Sequence, residues 1–430
     1  MQNKKLWLLA TTLTIAISNN SHAENLIQIY DLAKQNDPAF KAAVASKNAA
    51  YETIKQTRGE YLPSVDLSAS YTDTTGDDPL FSSSGATNSY SVTLTQPLYN
   101  SNISSRHSQN KAFVQQADAD FQAAEQDLIV RVARQYFRVL GAQDNLEFSK
   151  AEKNANERQL EQTKQRFEVG LVAITDVHEA QARFDLSVSQ LISAENLLNN
   201  EIEALRAITG EYHESLSTLQ ENMPLQSPEP TDIEAWTKLA LEQNLNLIST
   251  QYFVEQSQDA VDIQRAGYKP RLNFNTRYSH NDGDNFDARD TTTYGVQLSM
   301  NLFAGGSTSA YVQQAEYNLT RARENLEEAR RTTQQNVRSA YLNVLSSISQ
   351  VKALQQAVVS SESRLKASQA GFEVGTRTTV DVLDARRELF NSQREYARSR
   401  YDYILQLLTL KQAAGTLNKD EVNRVNQWLQ

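Results

Sequence analysis

Apolar residues recur along this chain with two periods, and each period is found twice. From Asn102 to Arg166 and from Ser307 to Ala370 they step by threes and fours. Phe113, Ala117, Phe121, Ala124 and Leu128 mark the first stretch; Val337, Tyr341, Val344, Ile348, Val351, Leu354 and Val358 mark the second. Neither stretch contains proline, and Gly141 is the single glycine in the two. At 1.5 Å per residue about 64 residues of helix reach about 95 Å, far beyond an ordinary globular helix, so both are predicted as coiled-coil elements. The stripe mixes Ala, Ser and Gln with Leu. Small seam residues let a helix approach neighbours on two sides, as in a closed wall.

Period two precedes each long helix. Val65, Leu67, Ala69 and Tyr71 alternate with Asp66, Ser68, Ser70 and Thr72; Leu272, Phe274, Thr276 and Tyr278 alternate with Asn273, Asn275 and Arg277. Partner strands carry Tyr90, Val92 and Leu94, and Tyr294, Val296 and Leu298, after polar loops at Asp73 to Thr87 and His280 to Asp290. Strands are thus predicted near 62–74, 88–99, 270–281 and 292–303. The second strand of each pair ends alike, at Pro97-Leu98-Tyr99 and Asn301-Leu302-Phe303. Lengths of about 10 to 13 residues suffice for a tilted membrane crossing, with tyrosines near the ends where an interfacial girdle sits. A soluble hairpin needs a layer over its apolar face, and no further strand material supplies one, so the strands are predicted to enter a membrane.

The two halves are copies. Phe-Glu-Val-Gly at Phe167 to Gly170 returns at Phe372 to Gly375, so that Gly375 stands 205 positions after Gly170; Asp381 answers Asp176, Asp384 answers Glu179 and Gly415 answers Gly210. Each copy reads as a helix (24–60, 231–267), two strands, a long helix, a tip broken by glycine (167–177, 372–382) and a returning helix (176–208, 381–414). The predicted division is a first repeat at 24–210, a linker at 211–232 carrying Pro224, Pro228 and Pro230, a second repeat at 233–416 and a polar tail at 417–430.

Composition narrows the function. With 22% charged residues among 430 and a mean hydropathy of −0.57, a bundle of membrane helices is excluded. Met1 to Ala23 has a basic head at Lys4 and Lys5, an apolar stretch from Leu6 to Ile17 and a small-x-small end at Ser21-His22-Ala23, the pattern of a cleaved signal peptide (1–23). Removing its two lysines takes the net charge from −10 to −12, which argues against nucleic acid as a partner. There is no cysteine, the five histidines stand far apart, and no HExxH, GxSxG or phosphate-binding loop occurs. No enzyme, cofactor or structural metal site is predicted. Asn281 to Asp287 resembles a calcium loop, but its glycine is misplaced and the terminal Glu is missing.

Four strands per chain cannot close a barrel, and an open edge in lipid leaves backbone groups without partners. The chain must oligomerise. Two, three or four copies would give 8, 12 or 16 strands, and arithmetic does not choose.

The duplicated unit, Ile174 to Val177 (ITDV), Gly375 to Thr378 (GTRT) followed by Val380 to Ala385 (VDVLDA), and Ala414 to Asn418 (AGTLN) resemble the TolC family of outer-membrane efflux and secretion channels, over essentially the whole mature chain. The resemblance implies a mainly α fold with a small membrane β-barrel: a homotrimer with one 12-stranded barrel, an α-barrel of long antiparallel coiled-coil helices reaching into the periplasm, and an equatorial region built from the linker and C-terminal segment. It implies an outer-membrane exit duct of tripartite efflux pumps or type I secretion systems, working with a periplasmic adaptor (membrane fusion) protein and an inner-membrane RND, ABC or MFS transporter. A trimeric, outer-membrane-anchored coiled-coil protein with a structural or adhesive role and no transport is the alternative.

Taken by themselves, Asp381 and Asp384 share one face of a helix start, where carboxylates cap and compensate the helix dipole. The resemblance places both in the narrowest ring of the periplasmic entrance, where crowded like charges bind cations. It places Thr175, Asp176 and Arg377 in links that hold neighbouring coiled coils shut, and the segments Val169-Gly170-Leu171 and Val374-Gly375-Thr376 where adaptor hairpins dock. Phe372 departs from a tyrosine of the family, so a link through a phenolic hydroxyl cannot form there. Glu179 adds acidity near the mouth; His178 reads as a solvated helix residue.

Overall fold

The computed structural model describes residues 23–76, 84–213 and 215–430. The signal-peptide reading falls outside these, as does part of the first polar loop. In order, the elements are α1 (Leu26–Asn36), α2 (Pro38–Gly59), β1 (Ser64–Thr74), β2 (Gly85–Asn100), α3 (Ser101–Glu168), α4 (Ile174–Thr209), α5 (Ile233–Gln243), α6 (Leu245–Arg265), β3 (Arg271–Gly283), β4 (Phe286–Ser299), α7 (Ser307–Glu373), α8 (Thr379–Ala413) and α9 (Lys419–Asn426). The fold is mainly helical with one small antiparallel sheet.

The sheet runs β1-β2-β3-β4, with β1 and β4 at its edges. The helices joined to these strands lie side by side in the matching order, α2, α3, α6, α7, each strand continuing into or arising from its own helix. Below the middle the order is α4, α3, α8, α7. Above and below its middle the chain is therefore one wall, a single element thick. At 1.5 Å per residue the 68 residues of α3 span about 100 Å, and α4 with α2 divides that length beside it.

Register sorts the strand residues cleanly by face. Pairings such as Leu67 with Val92, Val92 with Tyr278 and Leu272 with Leu298 gather the apolar side chains. The pairings of Asp66 with Thr93 and Thr93 with Arg277 gather the polar ones. The apolar face is bare: Leu67 is 76% exposed and Tyr294 81% exposed. No strand residue belongs to a described hydrophobic core.

His280 to Asp290 is not a loop, because β3 continues to Gly283 and turns into β4 through Asp284 and Asn285, so the calcium-loop lookalike is hairpin. Asn301-Leu302-Phe303 lies beyond β4, whereas Pro97-Leu98-Tyr99 stays within β2 at a bulge. The helix expected at 24–60 breaks at Asp37, an extended residue whose carboxylate accepts from Phe40 N–H at 3.0 Å and receives Arg131 at 2.7 Å. That expected at 231–267 breaks in the same way at Asn244, whose side chain accepts from Leu247 N–H at 3.0 Å. Phe113 is exposed and its stripe only partly buried, with Ala112, Val114 and Ala119 turned inward instead. In the second copy Val337, Tyr341, Val344, Ile348 and Val351 are buried, while Leu354 and Val358 are half-buried.

The segment after 417 is no tail. Leu417, Val422, Val425, Trp428 and Leu429 enter the main core, which gathers where α3, α7 and α8 meet α1, α5 and α9. Thr218 and Gln430 exchange backbone hydrogen bonds at 3.2 and 2.9 Å, and Gln126 of α3 donates to the carbonyls of Gly415 and Leu417 at 3.0 and 2.9 Å. Linker and C-terminal segment thus form a belt halfway along the long helices.

Gly415, at φ +78°, closes α8 against the break between α5 and α6, where an added Cβ would lie 2.0 Å from the Gln243 carbonyl oxygen. Gly375 has the same φ but open space around it. Gly415→Ala is therefore expected to lose about 3 kcal/mol or more of stability and Gly375→Ala about 1 kcal/mol. Thermal melting followed by circular dichroism checks the order.

Candidate functional site at the hairpin tips

Both tips are built alike. Each long helix ends in a residue at positive φ, Gly170 (+74°) or Gly375 (+78°). Leu171 N–H reaches back to the Arg166 carbonyl at 2.9 Å and Thr376 N–H to that of Gly371 at 2.8 Å, the six-to-one closure of a helix C-terminus. This turn thrusts side chains outward: Val169, Leu171 and Val374 are each 70–75% exposed. The six positions Val169, Gly170, Leu171, Val374, Gly375 and Thr376 form two projecting, mostly apolar ends.

Asp176 and Asp381 start the returning helices. The Asp176 carboxylate accepts from Ala173 N–H at 3.1 Å. Asp381 does more: its Oδ2 accepts from Thr378 N–H at 2.8 Å and Thr378 Oγ1 at 2.9 Å, while its own N–H donates to Thr378 Oγ1 at 3.2 Å. These bonds to the Thr378 backbone and hydroxyl, with Arg377 and Arg364 nearby, hold the Asp381 carboxyl below its ordinary range. Thr175 is exposed. Within the chain Arg377 faces Asp381 at 3.8 Å, not Thr175 or Asp176.

Phe372 offers its ring face to the Arg166 guanidinium, 4.6 Å from the centroid. A ring without a hydroxyl thereby still joins the end of α3 to the end of α7.

Asp384 is not a free carboxylate. It lies 3.2 Å from Arg183 of α4 and 3.3 Å from Arg387 of its own helix, and Arg183 also holds Glu179 at 2.9 Å. Asp381 and Asp384 therefore differ: one is a cap, the other belongs to a four-membered charge cluster that joins the two copies. Arg183, Arg387 and Arg166 had not been singled out from sequence. The spacings Glu179 to Arg183 (i, i+4) and Asp384 to Arg387 (i, i+3) were visible signals; the pairing of Arg183 with Asp384 was not.

Further along, α8 is tied to α3 by Arg386 donating to the Ala155 carbonyl at 3.0 Å, Arg394 to Glu152 at 3.1 Å and Tyr401 to Asp144 at 2.6 Å. Burial raises the Asp144 carboxyl, partly offset by the Tyr401 hydroxyl; burial and the like charge of Arg158 lower Arg386. No group of His, Asp and Glu able to hold a metal is present among the described residues. What the tips can do is electrostatic and mechanical.

Comparison with known proteins gives the setting. The family model "Outer membrane efflux protein" matches residues 29–211 and 236–416, once per repeat. "Outer membrane protein TolC" of Vibrio cholerae is 40% identical over 422 residues, covering 96% of this chain and 95% of that protein. "Alkaline protease secretion protein AprF" of Pseudomonas aeruginosa is 30% identical, covering 99% and 91%. The crystal structure of the Campylobacter jejuni CmeC outer membrane channel shares the fold at a TM-score of 0.79 and 18% identity, over 95% of this chain and 90% of that one.

A lowered carboxyl pKa contributes stability that is present above the ordinary carboxylate range and lost as pH falls through the lowered value. Thr378→Val removes the hydroxyl bond, so protonation of Asp381 is expected to move upward, to less acid pH. Carboxyl titration by NMR, with hydrogen exchange at residues 379–383 quickened in the same variant, checks this.

Proposed function

The chain belongs to the outer membrane efflux protein family, and from that premise we propose that three copies close into one channel, its helices forming a tunnel into the periplasm. The protein is an outer-membrane exit duct of efflux and type I secretion systems, and a passive one: no bond is made or broken in it, and energy comes from inner-membrane machinery. The observation that carries closure by several copies is the four-stranded sheet with a bare apolar face and two unpaired edges, continued strand by strand into helices; the number three is what the family resemblance implies. Three copies of four strands make 12, which closes in lipid with no edge left.

The apolar ends at Val169, Leu171 and Val374 suit docking by the hairpins of a periplasmic adaptor, with Gly170, Gly375 and Thr376 keeping the turns narrow. The transporter behind it would be of the RND, ABC or MFS type. The name of the Pseudomonas relative supports protein secretion as one use; the family description supports efflux. At the entrance, Asp381 and Asp384 supply two carboxylates per chain and six per trimer. Arg377 lies beside Asp381 at the chain's surface, free to meet Thr175 or Asp176 of a neighbouring coiled coil. Opening would be a two-state untwisting of the second coiled coil as adaptor contacts replace such links.

In planar bilayers the purified protein should give a low, cation-selective conductance, blocked by a millimolar trivalent cation on the periplasmic side. Asp381→Asn with Asp384→Asn should remove the block; a block left intact would sink the entrance assignment, and no conductance from trimeric protein would sink the duct.

Leu171→Ser with Val374→Ser should keep that conductance yet leave cells as sensitive to detergents and drugs as a deletion strain. Normal export by this variant would move the docking surface elsewhere.

A further inference from the structure

We propose that Arg183 sets the charge selectivity of the entrance by neutralising Asp384, so that Asp381 supplies the effective acidic ring. The inference rests on the duct reading given above. Two acidic residues of similar placement are held differently. Asp381 has one guanidinium within 4 Å, at 3.8 Å on an Arg377 that is 60% exposed, with Arg364 farther off. Asp384 has two at 3.2 and 3.3 Å, and the nearer belongs to Arg183, whose side chain is 24% exposed.

The four groups Glu179, Arg183, Asp384 and Arg387 sum to zero. A multivalent cation approaching Asp384 must compete with two guanidinia already within hydrogen-bonding reach, and their repulsion cancels most of the carboxylate's attraction at that range. The pairing does little for stability, as half-exposed ion pairs generally do. Its effect is on the field in the opening, where fixed charges on a narrow axis decide which ions enter.

The two cations are not equivalent. Arg387 travels with Asp384 on α8, whereas Arg183 sits on α4 in the other repeat. Only Arg183 can be withdrawn when the repeats separate. A ring of three effective charges in the shut entrance then gains charge as the tips part, and cation attraction rises with opening.

The test is trivalent-cation block of wild-type and variant channels in planar bilayers, with reversal potential under a salt gradient as second readout. Arg183→Gln should lower the half-blocking concentration about tenfold and increase cation selectivity. Asp384→Asn leaves the four-membered cluster at +1 and should weaken block in the wild type, yet in the Arg183→Gln background it returns the cluster to zero and should restore the wild-type block. Arg183→Lys keeps the charge and should stay near wild type. Arg387→Gln gives a smaller shift in the same direction and serves if Arg183→Gln forms no channels. The inference is overturned if neither arginine variant tightens block, if Arg183→Lys behaves as Arg183→Gln, or if Asp384→Asn fails to return block to near the wild-type level in the Arg183→Gln background. If instead Asp381→Asn with Asp384→Asn leaves block unchanged, the acidic entrance itself is wrong, and that outcome is distinct from the others.

Discussion

A strand at the edge of a sheet carries backbone donors and acceptors with nothing to pair, and in hydrocarbon there is no water to take them up. In this chain β1 and β4 both stand in that position, beside a face of exposed Leu, Val and Tyr that water does not favour. Nearly every other feature answers this constraint. The duplication supplies two hairpins that pair with each other through β2 and β3, leaving two edges rather than four. The helices inherit the order of the strands, so closing the sheet closes the wall below it.

The wall is held differently along its length. Around the belt, aromatic and aliphatic side chains such as Tyr136, Phe137, Tyr403 and Ile404 are almost wholly buried, and linker and C-terminal segment lock around them. Toward the tips the seam between α3 and α8 turns polar, with Arg394 on Glu152 and Arg386 on a carbonyl. Polar links between helices exchange partners more readily than a packed core repacks. Rigidity in the middle and compliance at the end is the division a duct needs when only its mouth must move.

Much of this was legible from the chain. A long helix without proline and a strand with strict alternation declare themselves by period, and the returning Phe-Glu-Val-Gly gave the duplication. What period could not show was where a helix breaks without proline: Asn244 ends one helix and caps the next with a short side chain that has no signature in hydrophobic pattern. Nor could a polar composition reveal that the segment after Leu417 packs inward, since only a few of its residues, Val422, Val425, Trp428 and Leu429, carry the burial. At the candidate site the capping role of Asp381 followed from its place in a first turn. The partner of Asp384 did not, because Arg183 lies 201 residues away and meets it only once both repeats are folded.

The one-for-one succession of strand by helix also bears on calibre. In the proposed trimer, twelve strands about 4.8 Å apart and tilted by about 40° trace a circle of radius about 12 Å. Twelve helices about 9 to 10 Å apart trace one of about 18 Å, and removing a half-thickness of about 5 to 6 Å leaves an inner radius of about 12 to 13 Å. The thicker element needs the wider circle and uses up the difference in its own girth. The polar face of the sheet carries mostly short Ser, Thr and Asn side chains, among which Arg271, Arg277, Arg289 and Gln297 are the long ones. The backbone of the stranded wall and the inner surface of the helical wall thus share nearly one radius, so that any step between them is set by the side chains on the polar face of the sheet.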